Sequence, residues 1–373
     1  MFIGVQNLKI AFLTELFHPH VGGCERRFME IGSRLATKGH DIHVFTIQYD
    51  RNLPNEEKVA GITVHRYAYS GNYVSPDGFR SLRGIVKYSI GSFIQLLGSD
   101  HDLYYANQWP MLHSLSAKPV ATPLIQEWCE VWTKFIKVTL MQKLLKNVAD
   151  YHVAVSEFTK QRLVNLLKID SSKVTVIPNG VNFTKFNSSR SKVWGRIVYT
   201  GRVVPHKRVQ LLVNAFREAK KKIPTAELHI IGSGSGLPSI RKSASTIKDC
   251  YVHGFLPEEQ MIDLLRSAWL FVLPSEREGS GLVVLEAMAA GVPFVTIDHP
   301  DNAAKEMCQF KCGLVVKPNK GSIAAAIIQL FNNEELWKEL NINALDFAKK
   351  HDWDIIANCM EDFLGEVVRN ANK

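Results

Sequence analysis

The sequence predicts an α/β protein made of two doubly wound, Rossmann-like parallel sheets, and three observations carry that expectation. Short apolar runs alternate with helical patterns along almost the whole chain. The rhythm stops at Pro178-Asn179-Gly180 and a polar stretch, Asn182 to Lys192, and then starts afresh. At 373 residues the chain is long enough for two domains of ordinary size.

The first series begins at Leu8 to Thr14 (LKIAFLT), an apolar run ending in Pro and Gly signals. A helical pattern from Cys24 to Lys38 stops at Gly39, and His40 to Ile47 reads as the second strand. Further strand-like runs follow at Ile62 to Tyr67, Asp102 to Ala106, Pro119 to Gln126, Tyr151 to Val155 and Lys173 to Ile177. Alternation of this kind means parallel strands joined by crossover helices. The polar stretch after Gly180 reads as a linker. The second series has strands near Gly195 to Thr200, Ala226 to Ile231, Cys250 to His253, Trp269 to Leu273 and Val292 to Ile297. Helical patterns close the chain at Gly321 to Asn332, Glu334 to Lys350 and Asp352 to about Asn370. The expected domains are therefore 1–180 and 181–351, with 352–373 as a final helix.

Composition narrows the function classes. With 46% hydrophobic and 22% charged residues the chain should bury substantial cores, which excludes disordered, collagenous and coiled-coil proteins. The cysteines at 24, 129, 250, 308, 312 and 359 show no CxxC pair, so neither a zinc nor a disulfide framework is expected, and a reducing, cytoplasmic home fits. No window approaches 18 consecutive apolar residues, and Met1 to Asn7 lacks the pattern of a signal peptide. The formal charge of +9 divides as +5 over residues 1–180 and +4 over the rest, so its placement matters more than its sum. Glu130 to Val148 interleaves Trp132, Phe135, Ile136, Leu140 and Leu144 with Lys134, Lys137, Lys143 and Lys146. Gly78 to Leu97 sets Arg80, Arg83 and Lys87 beside Ile85, Val86, Phe93 and Ile94. Two readings stand open: basic helices lying on an anionic membrane surface, or helices packed on their own sheet with solvated lysines. No nucleic-acid recognition motif accompanies the charge, so nucleic acid is not an expected partner.

In open parallel sheets ligands bind beyond the carboxyl ends of strands, where helix N-termini offer unpaired N–H groups. Just after the run Trp269 to Leu273 comes Pro274 to Pro293, in which Glu278 and Glu286, eight residues apart, bracket a glycine-rich helix start. Gly279 and Gly281 allow close backbone approach, and the helix dipole favours an anion there. The carboxylate pair alone fits equally well an ordinary connection with one acid in the first turn. Arg202 and Lys207 follow the first strand of the second series; a guanidinium fork and an ammonium suit the oxygens of a diphosphate, although such a pair is often plain surface charge. Gly232, Gly234 and Gly236 form a GxG signal that is weak by itself. Asp100-His101-Asp102 is formally a D-x-D triplet, but it precedes a strand and reads better as a turn.

With its surroundings the segment is far more specific. EGSGLVVLEAMAAGVPFV, from Glu278, resembles the E-x7-E segment of retaining glycosyltransferases of the GT-B fold, in particular family four, the glycosyl transferases group 1. The resemblance extends to PHVGGCER at Pro19 to Arg26, VAVSEFTKQRL at Val153 to Leu163, VIPNGVN at Val176 to Asn182, GRVVPHKRV at Gly201 to Val209, IGSGS at Ile231 to Ser235 and VHGFLP at Val252 to Pro257. It implies two domains facing a central cleft, an acceptor domain 1–180 on which 352–373 packs back, and a donor domain 181–351. It further implies that Arg202 and Lys207 hold the diphosphate of a nucleotide-sugar donor, that Glu286 holds the ribose and Glu278 lies near the donor sugar. The backbone of Gly279, Ser280, Gly281, Leu282 and Val283 would contact sugar and diphosphate. Gly22 and Gly23 would close on the diphosphate from the other domain, Gly232 would sit beside the nucleotide, and His253, Gly254 and Phe255 would line the base pocket.

Two positions depart from the family pattern. Cys129 stands where the family usually has a histidine at the reaction centre, and a thiol is no substitute for imidazole at neutral pH; His20 and His113 are candidate replacements. Ser280 stands where a bulky residue is usual. The resemblance implies no cofactor and no metal, since Arg202, Lys207 and the helix start supply the positive charge. The expected acceptor is a glycan or lipid-linked sugar, with the enzyme cytoplasmic or peripheral at the cytoplasmic membrane face. A catalytically silent nucleotide-sugar binding subunit, and a sugar epimerase or phosphorylase of the same shape, remain as alternatives.

Overall fold

The computed structural model describes residues 7–75, 79–133, 136–187 and 191–371. Gly78, Lys134 and Phe135 of the two basic stretches, Ser188, Ser189 and Arg190 of the linker, and Met1 to Gln6 lie outside the described residues. Contacts divide the chain into two units, Met1–Asn179 with Trp353–Lys373, and Gly180–Asp352.

The first unit runs β1 (Lys9–Leu13), α1 (Gly23–Thr37), β2 (Asp41–Ile47), β3 (Glu56–Val59), β4 (Ile62–Tyr67), α2 (Leu82–Leu96), β5 (Leu103–Ala106), α3 (Leu112–Ala117), β6 (Leu124–Trp128), α4 (Ile136–Leu145), β7 (Tyr151–Ala154), α5 (Glu157–Arg162) and β8 (Val174–Val176). Its sheet has the order β3-β4-β2-β1-β5-β6-β7-β8. Neighbours are parallel except for the antiparallel pair β3–β4. Central strands β5 and β6 are buried along their whole length, the reason they read as continuous apolar runs. The edge strand β3 (EEKV) has no apolar alternation to announce it, and its charges guard the open edge against pairing with another chain. β6 begins at Leu124 rather than Pro119, because Pro119 and Pro123 lack the N–H a central ladder requires.

Helix α1 buries Phe28, Ile31 and Leu35, and on the same face Arg27. Arg27 Nε donates to Glu127 Oε2 at 2.6 Å, and Tyr105 donates its hydroxyl to the same oxygen at 2.5 Å. The guanidinium also donates to the carbonyls of Pro178 (2.6 Å) and Ile177 (2.9 Å) and to Asn179 Oδ1 (3.1 Å). Burial opposes its charge, but the neighbouring Glu127 carboxylate more than compensates and raises the Arg27 pKa.

The second unit contains α6 (Phe183–Phe186), β9 (Arg196–Thr200), α7 (Val209–Lys220), β10 (Glu227–Ile231), α8 (Leu237–Ala244), β11 (Cys250–Gly254), α9 (Glu258–Ser267), β12 (Leu270–Leu273), β13 (Arg277–Glu278), α10 (Leu282–Ala289), β14 (Phe294–Ile297), β15 (Asp301–Asn302), β16 (Gly313–Val316), α11 (Lys320–Asn332) and α12 (Glu334–Lys350). Its main sheet, β11-β10-β9-β12-β14-β16, is parallel throughout, and β13 pairs with β15 apart from it. Edge strand β16 buries only its first residue fully and does not stand out in the sequence as an apolar run bounded by turn signals. Asn319 caps α11 through Ser322 N–H (2.8 Å) and Asn333 caps α12 through Leu336 N–H (2.9 Å). The last helix, α13 (Trp353–Ala371), belongs to the first unit, where it packs on α1 through Arg34–Asp354 at 2.5 Å, and its Glu361 also meets His40 in the turn after α1 at 3.1 Å.

Each main sheet reverses its strand order once, between β1 and β5 in the first unit and between β9 and β12 in the second. Such reversals open a crevice at the carboxyl ends of the two strands, which is where ligands bind in open parallel sheets.

Removing Arg27 leaves Glu127 charged and buried. Arg27→Ala should lower the stability of the first unit by about 3–5 kcal/mol, read as a shifted urea transition.

Candidate active site

In the second unit the loops leaving β9 and β12 meet at the strand-order reversal. Lys207 Nζ donates to Glu278 Oε1 at 2.6 Å, with both side chains mostly buried. A second pair, Arg208–Glu276 at 3.3 Å, and a bond from Glu276 N–H to the His206 carbonyl at 2.8 Å tie the same loops together. Arg202 is exposed, its carbonyl held by the Tyr199 hydroxyl at 2.8 Å. Burial raises the Tyr199 pKa, Glu278 raises it further and Arg202 works against both, so the phenol stays protonated beside the two opposite charges.

Gly281 makes the bend on which the motif depends. It adopts φ +70° as the N-cap of α10, with no side chain capping the helix. Glu278 therefore lies in extended β13, while Glu286, five residues into α10 from Leu282, is only 4% exposed. Gly279, Ser280, Leu282 and Val283 are half-buried around the helix start. The sequence pattern passed over two further groups here. Thr200 Oγ1, at the end of β9, and Ser275 Oγ, just after β12, are buried hydroxyls with no hydrogen-bond partner among the described residues. A buried hydroxyl left unbonded costs free energy, which water or a ligand at this crevice would relieve.

The glycines after β10 have a different first duty from the one expected. Gly232 (φ +136°) and Gly234 (φ +149°) lie where the loop runs against the one leaving β9; a Cβ would overlap the Gly201 carbonyl at the former and the Val203 carbonyl at the latter. Val203 N–H bonds Ser233 O at 2.8 Å and Gly236 N–H bonds Val203 O at 2.9 Å. These glycines thus seat the Arg202 loop through backbone contact. Gly254 also has its carbonyl occupied, by Gly232 N–H at 2.7 Å. His253 stacks on His229 (ring centroids 5.2 Å, Nδ1 of His229 to its Nε2 3.0 Å), and burial lowers its pKa. Phe255 is largely exposed.

In the first unit, Gly22 and Gly23 lead into α1 beside the reversal between β1 and β5. Glu25 folds back over Gly22 and bonds His20 Nδ1 at 3.0 Å, so His20 is a half-buried loop residue with its ring engaged. Cys129, after β6, lies with its sulfur 3.2 Å from that of Cys24. Its N–H, with that of Glu130, bonds Gln108 Oε1 at 3.1 Å. The contact with Cys24 and burial raise the Cys129 pKa well above the usual thiol range, so it stays a protonated thiol. His113 must be corrected as a candidate. It is fully buried in α3, its ring against Tyr88 at 5.5 Å, and burial lowers its pKa to about 3. A neutral core imidazole of this kind has no surface with which to meet a substrate. Sequence reasoning also overlooked Arg27 and Glu127; the available signals were a charge on the apolar face of α1 and a carboxylate inside the run LIQEW. Among the described residues, no group of three or more His, Cys, Asp or Glu side chains could hold a metal.

Known proteins resemble this chain over most of its length. Residues 184–347 match the family profile described as Glycosyl transferases group 1, and residues 21–185 match Glycosyltransferase Family 4. The GDP-mannose:cellobiosyl-diphosphopolyprenol alpha-mannosyltransferase of Komagataeibacter xylinus is 25% identical over 402 residues, covering 99% of this chain and 97% of that protein. A D-inositol 3-phosphate glycosyltransferase of Streptomyces bingchenggensis is 23% identical over 419 residues, covering 100% and 92%. Among solved structures, sucrose-phosphate synthase from Thermosynechococcus elongatus superposes with a TM-score of 0.82 at 18% identity, covering 98% of this chain and 100% of that one. An Anabaena protein in complex with UDP and glucose gives 0.75 at 16% identity, covering 96% and 99%. At these identities the structural likeness is one of fold.

Gly234→Ala should destabilise the second unit by about 2 kcal/mol or more, since it combines backbone strain with overlap on Val203; chemical denaturation measures it. Diamide, which takes up two thiol hydrogens as it is reduced to the hydrazine, should join Cys24 to Cys129. Thiol titration would then fall by two in the wild type, and Cys24→Ser should abolish that loss.

Proposed function

This chain belongs to the group 1 glycosyl transferases of the GT-B fold, enzymes that move a sugar from a nucleotide-diphosphate sugar to an acceptor, and we propose how its own residues divide that work. The observation that carries the assignment is the Lys207–Glu278 pair at the strand-order reversal of the second unit. Each of its members leaves the end of one of the two strands that flank the crevice.

In this reading Arg202 and Lys207 bind the donor diphosphate and stabilise the charge that grows on it as the sugar departs, an electrostatic form of catalysis. The uncapped start of α10 adds N–H groups and dipole from the same side. Those groups provide the positive charge that a metal would otherwise bring, so no metal is required. Glu278 holds the ammonium at the crevice before the donor arrives and then faces the sugar. Glu286 takes the ribose hydroxyls, and Thr200 and Ser275 supply hydroxyls to the bound nucleotide. Gly232 serves by seating the Arg202 loop, and Gly254 and Phe255 border the base. Transfer proceeds with retention of anomeric configuration.

The acceptor in this reading is a lipid-linked sugar at the cytoplasmic membrane surface. It is supported by the Komagataeibacter relative, whose name gives a polyprenol diphosphate-linked acceptor. The silent-subunit and epimerase or phosphorylase alternatives are not favoured, because the relatives that span the chain are named as glycosyltransferases.

A thermal-shift panel of UDP, GDP and ADP, run with a transfer assay, tests the reading. One nucleotide should raise the melting temperature of the wild type. Lys207→Ala should abolish that rise and lower turnover by two orders of magnitude or more, as expected for loss of a transition-state charge contact. Glu286→Gln should fold normally and transfer poorly. Near wild-type turnover in both variants would overturn the assignment.

A further inference from the structure

Helices α2 and α4 of the first unit carry apolar side chains on their outer faces as well as against the core. Helix α2 buries Gly84, Tyr88, Ser89, Ser92 and Leu96 but exposes Leu82, Val86, Ile90 and Ile94, a stripe at four-residue spacing, with Leu82 72% exposed. Helix α4 buries Gln142 and exposes Ile136, Leu140 and Leu144, at 83%, 56% and 71%. A surface helix packed only on its own sheet has a polar outer face, which neither helix has.

Topology gathers these stripes on one side. β1 leads through α1 to β2 in one direction across the sheet, whereas β4, β5 and β6 lead through α2, α3 and α4 in the other. Right-handed crossovers therefore put α1 on one face and α2, α3 and α4 on the opposite one, together with the short α5, which joins β7 to β8 and carries Glu157. The two faces also differ in charge. Helices α2, α3 and α4 contain no Asp or Glu. On the other face, α1 and α13 carry Glu25, Glu30, Asp354, Glu361, Asp362 and Glu366. Arg83, Lys87, Lys137 and Lys143 stand exposed beside the apolar stripes, and among the described residues no carboxylate pairs with them. Among the described residues no helix is long and apolar enough to cross a membrane, so these helices could only lie on one.

We propose that the α2–α3–α4 face docks on an anionic lipid bilayer, its aliphatic stripes entering the interface while Arg83, Lys87, Lys137 and Lys143 meet the headgroups. Exposed aliphatic side chains alone would fit a second copy of the chain or another protein equally well. Helices without a carboxylate, whose apolar stripes on α2 and α4 are each bordered by basic side chains, are complementary to a sheet of negative charge, and these stripes repel their own copy. The proposal rests on the reading of a lipid-linked acceptor, for which it names the surface that brings the enzyme to its substrate.

The test uses the full chain in sedimentation with vesicles of phosphatidylcholine alone, or mixed in equal parts with phosphatidylglycerol. The wild type should pellet with the anionic vesicles at low salt and stay in solution with the neutral ones. Ile90→Ser with Ile94→Ser should weaken that partition by about tenfold or more, because insertion scales with apolar area. Arg83→Glu with Lys87→Glu should abolish it at low ionic strength. All of these side chains are exposed, so both double variants should keep the wild-type melting temperature and its rise with the nucleoside diphosphate. A wild type that stays in the supernatant, or variants that pellet like it, overturns the surface while leaving donor chemistry intact. A wild-type dimer that the Ile90/Ile94 variant converts to monomer also overturns it, the face then being covered by a second copy. Vesicle binding without transfer to any lipid-linked acceptor would instead count against the acceptor reading alone.

Discussion

A guanidinium with no access to water governs the first unit. Arg27 can stay charged in the core only if every neighbour cooperates, and the neighbours come from three distant stretches: Glu127 at the end of β6, the carbonyls of Ile177 and Pro178 with the Asn179 amide, and the Tyr105 hydroxyl bridging through Glu127. A buried charge tolerates little displacement, since each lost partner leaves it less compensated. The start of α1 is thereby held against the end of β6, and Cys24 comes to lie 3.2 Å from Cys129. The glycine turn ahead of α1 and Cys129 thus owe their proximity to this ion pair, whose Glu127 also accepts from the Cys129 thiol at 3.8 Å.

The second unit reaches comparable definition by a different route. There the loops after β9 and β10 run so close that glycine is needed at 232 and 234, and backbone hydrogen bonds fill the space side chains would have taken. Arg202 is therefore carried on a loop braced by main chain, while Lys207 is held by Glu278 across the reversal. For the role proposed for Arg202 and Lys207 such support matters, because charges placed in advance need not reorganise as a leaving group develops its own. The unbonded hydroxyls of Thr200 and Ser275 fit this picture as polar groups kept ready at the mouth of the crevice.

Much of this was legible in the sequence. Parallel sheets followed from alternating apolar runs and helices, because strands buried on both faces must be apolar throughout. The segment from Glu278 to Pro293 was legible because glycine at 279 and 281, a helix start and two carboxylates are chemically demanding in combination. Strands β3 and β16 were not, both lying on sheet edges, the first charged and the second mostly part-exposed. His113 stood as a candidate replacement for the family's histidine, yet it fills core space beside Tyr88.

The sequence by itself determined the fold class, the family and which side chains share a helical stripe. Local spacing and residue chemistry suffice for each of these. Tertiary structure alone decided which stripe faces in. In α2 both faces carry apolar residues, so periodicity identifies Leu82, Val86, Ile90 and Ile94 as one group without telling whether that group meets the sheet or the solvent. It also decided that Arg27 meets Glu127 and that Gly232 meets Gly201, pairings set by strand register and crossover geometry between residues far apart in the chain. Such contacts depend on where the sheets bring the backbone, and no local pattern records that.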